Sequence, residues 1–508
     1  MNLFYSLSVS FLLFFAWSKA KAQSVHWGTS FPLGKEATGA FQLLSSSADH
    51  YQLLFASKRG PTSLLTHDHK HLLQHNHAYE LASGYAPLIF EGKFAFGADT
   101  LAFFRHPLKE NNRQLILQAN IKQGELKDWT PLFSFEKPIN QNISPVSIDK
   151  YYNIGPTSPW CLSPDGSKLA YVQGLSKRTV NSQSQFVVAV MDRDRDLLWQ
   201  RTVSLDGLAE YITAQDVAVS DRGEVLLLTQ LQSSSDFAAK IGRPFVEGYR
   251  CELIRFTEHG QDQVDVYLDA PEVPMAALIR QGKGLNQVFI TGIYDDQRTA
   301  FGADGVFVKR LELDNKRFSD ATYPFTNFPQ VMAVGELHAS WQNRLVLRDA
   351  YTLANGKFGF VMEVVQPYTT HPGNASFSLF AKQLIIPQFS GEGQLQHITA
   401  LDRQLITNDP KNIAFGLGVE GSRLHLLYNV SGRYLPDGLQ VEGVKRNGVY
   451  TLQSTLEESG IWSNTAIVTT PHSRGYTILP RRSIYAAGQW LLMARDRRSI
   501  RVGSFVAH

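Results

Sequence analysis

Eight short apolar runs, most of them announced by a tight turn, constrain this chain more than anything else in it. YQLLFAS, TLAFFR, KLAYVQ, EVLLLTQ, QVFITGIY, FGFVMEVV, RLHLLYNV and WLLMARD begin near residues 51, 100, 168, 224, 286, 357, 423 and 490. Each has the length and composition of a buried strand, and helical periodicity is scarce. The turns are clearest in LSPDGSKLAYV (162–172) and VSDRGEVLLL (219–228). There Pro164 presets φ, Asp165 or Asp221 bonds the local backbone, and Gly166 or Gly223 takes positive φ. The runs recur on average about every 63 residues. A lone four-stranded sheet cannot bury both its faces, whereas sheets packed radially shelter one another. The chain therefore reads as all-β: a β-propeller of four-stranded antiparallel blades, eight by strand count, with seven as the close alternative.

If each run is strand B of a blade, blade three reads A 157–163, B 168–173, C 186–192 and D 197–204. Blade four reads A 212–219, B 224–231, C 249–257 and D 263–268. The last blade supplies only A, B and C, near 480–486, 489–495 and 498–506. SVHWGTSF (24–31) is the candidate for its missing strand, a closure that removes open sheet edges. The SPDGSKLAYV segment resembles the repeat of TolB-type, WD-repeat-like propellers, in which Ser-Pro-Asp-Gly turns from the innermost strand to the second. The resemblance covers about a dozen residues and implies a fold; propellers host many unrelated functions.

The chain has 508 residues and a net charge of +3. That balance provides no general footprint for nucleic acid, and the basic stretch ARDRRSIR (494–501) alternates like a strand with a solvated face. FYSLSVSFLLFFAW (4–17) is too short for a comfortable membrane span, and Ala20-Lys21-Ala22 follows it with signal-peptidase spacing. The expectation is a signal peptide over 1–22, cleavage after Ala22, one propeller domain over 23–508, no integral span in the mature chain, and a secreted or periplasmic location. An uncleaved anchor is the alternative, because the first residues carry no Lys or Arg. Two cysteines, Cys161 and Cys251, exclude a disulfide framework and read as separate buried thiols.

THDHKHLLQHNH (66–77) holds His67, His69, His71, His75 and His77. In extended chain the first three would share one face, about 6.6 Å apart at successive i+2 positions. Placing Leu72-Leu73 over Leu197-Leu198 instead sets His67, His69 and His71 on Asp192, Asp194 and Asp196, so the shared property is polarity at an exposed hairpin. Neither hairpin is expected to hold a metal. DRDRD lacks the Gly and Glu of an EF-hand loop, and no cofactor motif occurs. G-x-S-x-G, Walker A, H-E-x-x-H and C-x-x-C are all missing, leaving only carboxylate pairs such as Asp295-Asp296 as candidates for acid/base work. Three sequons begin at Asn142, Asn374 and Asn429.

Connection lengths point to a working face. A–B and C–D turns emerge on one face and are mostly short, while B–C and D–A connections are long. Loops held by a rigid scaffold commonly carry function. The long-loop face gathers Tyr151, Tyr152, Arg178, Arg243, Arg298, Tyr368, Arg433 and Tyr434, types that anchor binding surfaces. Two functions follow: an exported non-catalytic propeller that binds a protein or glycan partner there, or a propeller glycoside hydrolase or polysaccharide lyase.

Overall fold

The computed structural model describes residues 25–28, 31–32, 40–46, 50–56, 62–68, 73–79, 88–96, 99–108, 112–122, 125–136, 159–175, 183–208, 212–231, 250–266, 268, 272–281, 287–295, 303–314, 317–331, 344–368, 378–407, 413, 415–435, 448–468, 477–486, 488–495 and 499–506. Among them the chain forms eight antiparallel sheets, seven of four strands in sequential order and an eighth completed by the N-terminal residues. The eight B strands are His50–Ala56, Asp99–Leu108, Lys168–Gly174, Val225–Leu231, Gln287–Asp295, Phe358–Tyr368, Arg423–Ser431 and Gln489–Arg495. Each contains one of the eight apolar runs, so eight blades replace the alternative of seven.

A B strand is apolar along its whole length because both its faces are covered. In blade three Leu169 and Tyr171 pack toward blade two, while Ala170 and Val172 pack toward blade four. The same alternation links every neighbouring pair into a ring of cores. The ring closes where Tyr51, Leu53 and Leu65 of blade one meet Met493, Ile500 and Val502 of blade eight. Truncating one such side chain to Ala costs about 2–5 kcal/mol. The predicted closure holds: His26–Trp27 and Phe31–Pro32 pair antiparallel with Ser499–Val506, with His26 opposite Ser504 and Phe31 opposite Ile500. ARDRRSIR is not one strand. It spans the hairpin between the last two strands, with Arg495 opposite Ile500.

The tight-turn face is a row of fasteners. Gly223 and Gly356 turn their A–B hairpins at φ 82° and 83°, which a side chain would strain. The A–B end of one blade then bonds the C–D turn of the next. Asp99 of blade two meets Arg195 of blade three, and Arg222 of blade four meets Asp314 of blade five at 3.4 Å. Asn355 and Lys357 of blade six both reach Glu458 of blade seven at 2.9 Å. Exposed pairs of this kind contribute little, because solvent screens them. Asp192 Oδ1 accepts from the N–H groups of Asp194 and Asp196, both at 3.0 Å, so this carboxylate shapes its own hairpin.

The histidine hairpin needs a correction. His67 pairs with Tyr51 in the sheet, as Met191 pairs with Leu169 one strand-end earlier than Asp192. Asp68, not His67, is therefore the counterpart of Asp192. His67 is buried, its ring stacked on Tyr51 at 5.1 Å between centroids. His69 and His71 lie outside the described residues, and for His75 and His77 only the backbone of Leu73–Tyr79 is described. Cys161 and Cys251 are free thiols, and burial pushes Cys251 up to about 12. Asn429 is fully buried in strand B of blade seven, where a glycan has no room. The other two sequons lie outside the described residues.

Candidate functional site

The long-loop residues are only partly placed. Tyr151, Tyr152, Arg178, Arg243 and Arg298 lie outside the described residues, as does Asp296 of the Asp295-Asp296 pair. Tyr368 ends strand B of blade six, and Arg433 and Tyr434 form a single 3-10 turn directly after strand B of blade seven. Both positions open B–C connections, hence the same face. Arg433 is exposed there.

The geometry brings a different set together, on the innermost strands. Strand A of five blades breaks register against strand B: at Leu43/Ser45, Phe90/Gly92, Ala214/Asp216, Pro274/Ala276 and Leu347/Asp349. A bulge inserts one unpaired residue and re-aims the side chains around it. In blades four and six the break falls at the same height, so that Asp216 sits opposite Leu228 and Asp349 opposite Val361, each the fourth residue of its B strand. The two aspartates occupy equivalent positions, and they differ in their hydrogen bonds to the next blade.

Asp216 is buried and committed. Its Oδ2 accepts from the Ile279 N–H at 2.8 Å and lies 3.4 Å from Arg280 Nη1, both on the inner strand of blade five. Its Oδ1 accepts from the Val217 N–H at 2.9 Å. Burial raises its carboxyl above the ordinary range, against the pull of Arg280. Arg280 pairs with the third residue of its B strand, Phe289. In blade seven the residue paired with the third B-strand position, His425, is Gly418. A Cβ there would collide with Tyr485 of blade eight, so no side chain can take the place that Arg280 has in blade five.

Asp349 thus has no arginine from blade seven's inner strand, although the charges of Arg280 and Arg481 both act on it. Among the described residues its one hydrogen bond is from the adjacent Ala350 N–H, at 2.9 Å. Solvent reaches it, yet surrounding protein raises its carboxyl above the ordinary range. Arg481 of blade eight is in the same condition: exposed, with its guanidinium depressed by burial and by the neighbouring charge of Arg348. Among the described residues Arg481 makes no hydrogen bond and no ion pair. It rides on the 3-10 turn Pro480–Arg482, which interrupts the inner strand of blade eight and is tied down by Ser483 Oγ donating to Leu479 O at 3.1 Å.

Arg348, the bulged residue, turns into the seam between blades six and seven. Its Nε and Nη2 both reach Glu363 Oε2 at 2.8 Å. The other oxygen of Glu363 pairs with Arg403, whose Nε donates to Asn429 O at 3.0 Å. Glu363 and Arg403 are fully buried. A third inner-strand acid, Glu91 of blade two, is paired with Arg105 at 2.7 Å. Sequence reasoning missed this axial set. Its signal was present: TAQDVAVSDRGEVLLL (213–228) lies without gaps over VLRDAYTLANGKFGFV (346–361), Asp216 on Asp349.

Chemically, the inner edges of blades six and eight present a solvent-reached carboxylate, Asp349, and a solvent-reached guanidinium, Arg481, with the charge of Arg280 also acting on Asp349. Among the described residues, no three His, Cys, Asp or Glu side chains gather as a metal centre requires. No family model and no curated relative matches the chain. Solved structures do match. Prolyl oligopeptidase B from Galerina marginata is 8% identical over 91% of this chain and 55% of its own, with a TM-score of 0.40. The β-propeller domain of the trilobed protease from Pyrococcus furiosus is 7% identical over 85% and 96%, TM-score 0.37. The polysaccharide lyase Uly1 is 10% identical over 85% and 93%, TM-score 0.37. The chain spans about half the length of the first of these. Likeness at this level says nothing of activity.

Proposed function

We propose that the chain is an exported β-propeller of the TolB type that binds a protein or glycan partner without transforming it. The partner meets the long-loop face, and the axial Asp349 and Arg481 form the floor beneath it. Export is supported by the apolar run 4–17 and the Ala20-Lys21-Ala22 site, with residues 23–508 as the propeller domain.

The observation that carries the binding reading is the contrast between Asp216 and Asp349. Glycoside hydrolysis in its usual form needs two available carboxyl groups about 5–9.5 Å apart. Among the described residues Asp216 is occupied by two backbone donors and Arg280, Glu91 by Arg105 and Glu420 by the Tyr485 hydroxyl, which leaves Asp349 as the inner-strand acid with no side-chain hydrogen bond. An unpaired carboxylate and guanidinium in a partly desolvated space are recognition groups, since electrostatic contacts strengthen as water is excluded.

The test is a glycan array and a co-purification screen on the mature chain, repeated with Arg243→Ala/Tyr434→Ala and with Asp349→Asn/Arg481→Gln. Partner loss in both double variants supports the assignment of face and floor. Undiminished binding in both refutes it. Cleavage of an arrayed glycan would replace the binding reading with the hydrolase or lyase one.

A further inference from the structure

We propose that the seam between blades seven and eight is a proton-operated latch. When buried His425 takes up a proton, Glu420 exchanges the Tyr485 hydroxyl of blade eight for the imidazolium of its own blade, and blade eight loosens from the ring. The inference concerns how the ring opens and does not depend on what the long-loop face binds.

This seam is more polar than the one between blades three and four, where blade three contributes Ala170, Val172, Val188 and Val190 from its two central strands. Among the described residues, blade seven gives one apolar side chain, Leu427, to the core it shares with Ile478, Trp490 and Leu492 of blade eight. The buried side chains beside Leu427 on that face are His425 and Asn429 of strand B, with their cross-strand partners Thr455 and Thr451, and Gln453 opposite Leu427 itself. They are hydrogen-bonded. Thr451 Oγ1 donates to Asn429 Oδ1 at 2.7 Å, and Asn429 Nδ2 donates across the seam to Ile478 O at 3.2 Å. Such contacts can be exchanged for contacts with water at a modest net cost, whereas exposed apolar surface has no substitute.

The tight-turn end of the seam carries the switch. Tyr485 donates its hydroxyl to Glu420 Oε2 at 2.6 Å, at the end of blade seven's inner strand. His425 is stacked on the Tyr485 ring, with 4.3 Å between centroids and 15° between planes. Gly418, its partner in the sheet, leaves room for that ring. The imidazole Nδ1 lies 3.0 Å from Thr455 Oγ1, which itself accepts from Gln453 Nε2 at 2.9 Å. The Thr455 proton then serves Nδ1, and the neutral ring carries its own hydrogen on Nε2. That Nε2 makes no hydrogen bond among the described residues and stands 3.7 Å from Glu420 Oε2. The other charges acting on the ring are Arg423 and Glu457, which pair with each other at 3.0 Å. From blade eight the facing group is Tyr485, whose hydroxyl burial and Glu420 keep protonated.

In the closed seam a second proton on the ring would meet the Thr455 hydroxyl proton in a space that water does not reach. Burial accordingly holds His425 below the ordinary imidazole value, with Glu420 pulling the other way. Opening hydrates the ring and returns it toward about 6.5. The open seam therefore binds the proton more tightly, and closure is lost as pH falls below that value. Once charged, the imidazolium draws the Glu420 oxygen toward a charge-assisted bond, in competition with the Tyr485 hydroxyl.

The experiment is thiol labelling of the mature chain carrying Ala494→Cys, a fully buried position on the blade-eight side of this seam. Native Cys251, buried in the core between blades four and five, is the internal control. Rates are resolved by peptide and divided by that of a free cysteine peptide at the same pH. One histidine released to about 6.5 raises the open fraction at most about tenfold between about pH 7.5 and about pH 5.5. The labelling rate at Ala494→Cys should rise about three- to tenfold over that interval, while Cys251 stays constant. Adding His425→Phe, which keeps a stacked ring but cannot titrate, should abolish the rise. Adding Tyr485→Phe should raise the rate severalfold already at about pH 7.5. His67→Phe, at the other flank of blade eight, should leave the rise in place. Circular dichroism checks each fold, and if His425→Phe does not fold, the pH response and the Tyr485→Phe rate still decide. A rate indifferent to pH, a rise shared by Cys251, a rise that survives His425→Phe or vanishes in His67→Phe, or a Tyr485→Phe rate equal to its parent's would each overturn the inference.

Discussion

Glu363 offers the sharpest test of how the ring is held between blades six and seven. Its carboxylate accepts from Arg348 on one oxygen and pairs with Arg403 on the other, and neither Glu363 nor Arg403 has measurable exposure. This charged layer divides the seam into two apolar clusters, one around Tyr351, Leu384 and Leu426, the other around Val346, Val365 and Leu405. Glu363→Gln removes the negative charge and leaves two guanidinia facing each other in a dry interface. Breaking a buried ion pair by removing one partner costs about 3–5 kcal/mol. Unfolding entropy of about 2.1 cal/mol/K per residue over the 508-residue chain is about 1 kcal/mol/K, so the melting temperature should fall by about 3–5 °C. Replacing the whole triad with Glu363→Leu, Arg348→Met and Arg403→Met should recover most of that loss, because well-packed apolar groups substitute for buried ions at little cost. Thermal melts followed by circular dichroism and calorimetry read both numbers. A Glu363→Gln protein that melts within 1 °C of its parent (a margin far below the shift expected), or a triple variant that melts below the single one, would refute the reasoning.

Asp349→Asn should stabilise the chain at neutral pH, since the raised carboxyl means that ionised Asp349 costs folding free energy there. The gain should shrink as pH falls through that raised value toward the ordinary carboxylate range, near about 4, and equal shifts in denaturation midpoint across that window would contradict it. His67→Phe acts at the other end of the fold. Burial holds His67 below its ordinary value, so the parent loses stability as pH falls from about 6.5 while the unfolded chain takes up a proton that the folded one refuses. The variant should show a flatter pH dependence between 7 and 5, and identical slopes would count against the burial. A chain starting after Pro32 loses the pairing with Ser499–Val506 and the packing of Val25 and Trp27 on the blade seven–eight core. It should melt lower and self-associate through the opened edge, which size-exclusion chromatography would detect.

The parts of the fold that sequence disclosed are those where composition and burial coincide. Strand B of every blade is covered on both faces, so KLAYVQ or EVLLLTQ announces itself without any pattern of alternation. The histidine segment shows how narrow that legibility is. Side-chain direction alternates with period two, so aligning HLL with DLL one residue off sent His67 to solvent when the ladder sends it inward. The axial site was hidden for a related reason. Bulges on the inner strands break the alternation there, and the fate of Asp349 depends on Gly418, 69 positions away. A lone aspartate in VLRDAYT carries no mark of its surroundings; only its twin in TAQDVAV, hydrogen-bonded to the inner strand of blade five, shows how differently the same position can be held.

The packing of blade one against blade eight, and the pairing of residues 26–32 with Ser499–Val506, also set an order of events during synthesis. Tyr51 and Leu53 emerge from the ribosome long before their neighbours Met493, Ile500 and Val502. A nascent chain with seven finished blades still has a greasy flank at each end and nothing to seal it. Completion waits for blade eight, and until it arrives blade one keeps its outer flank uncovered.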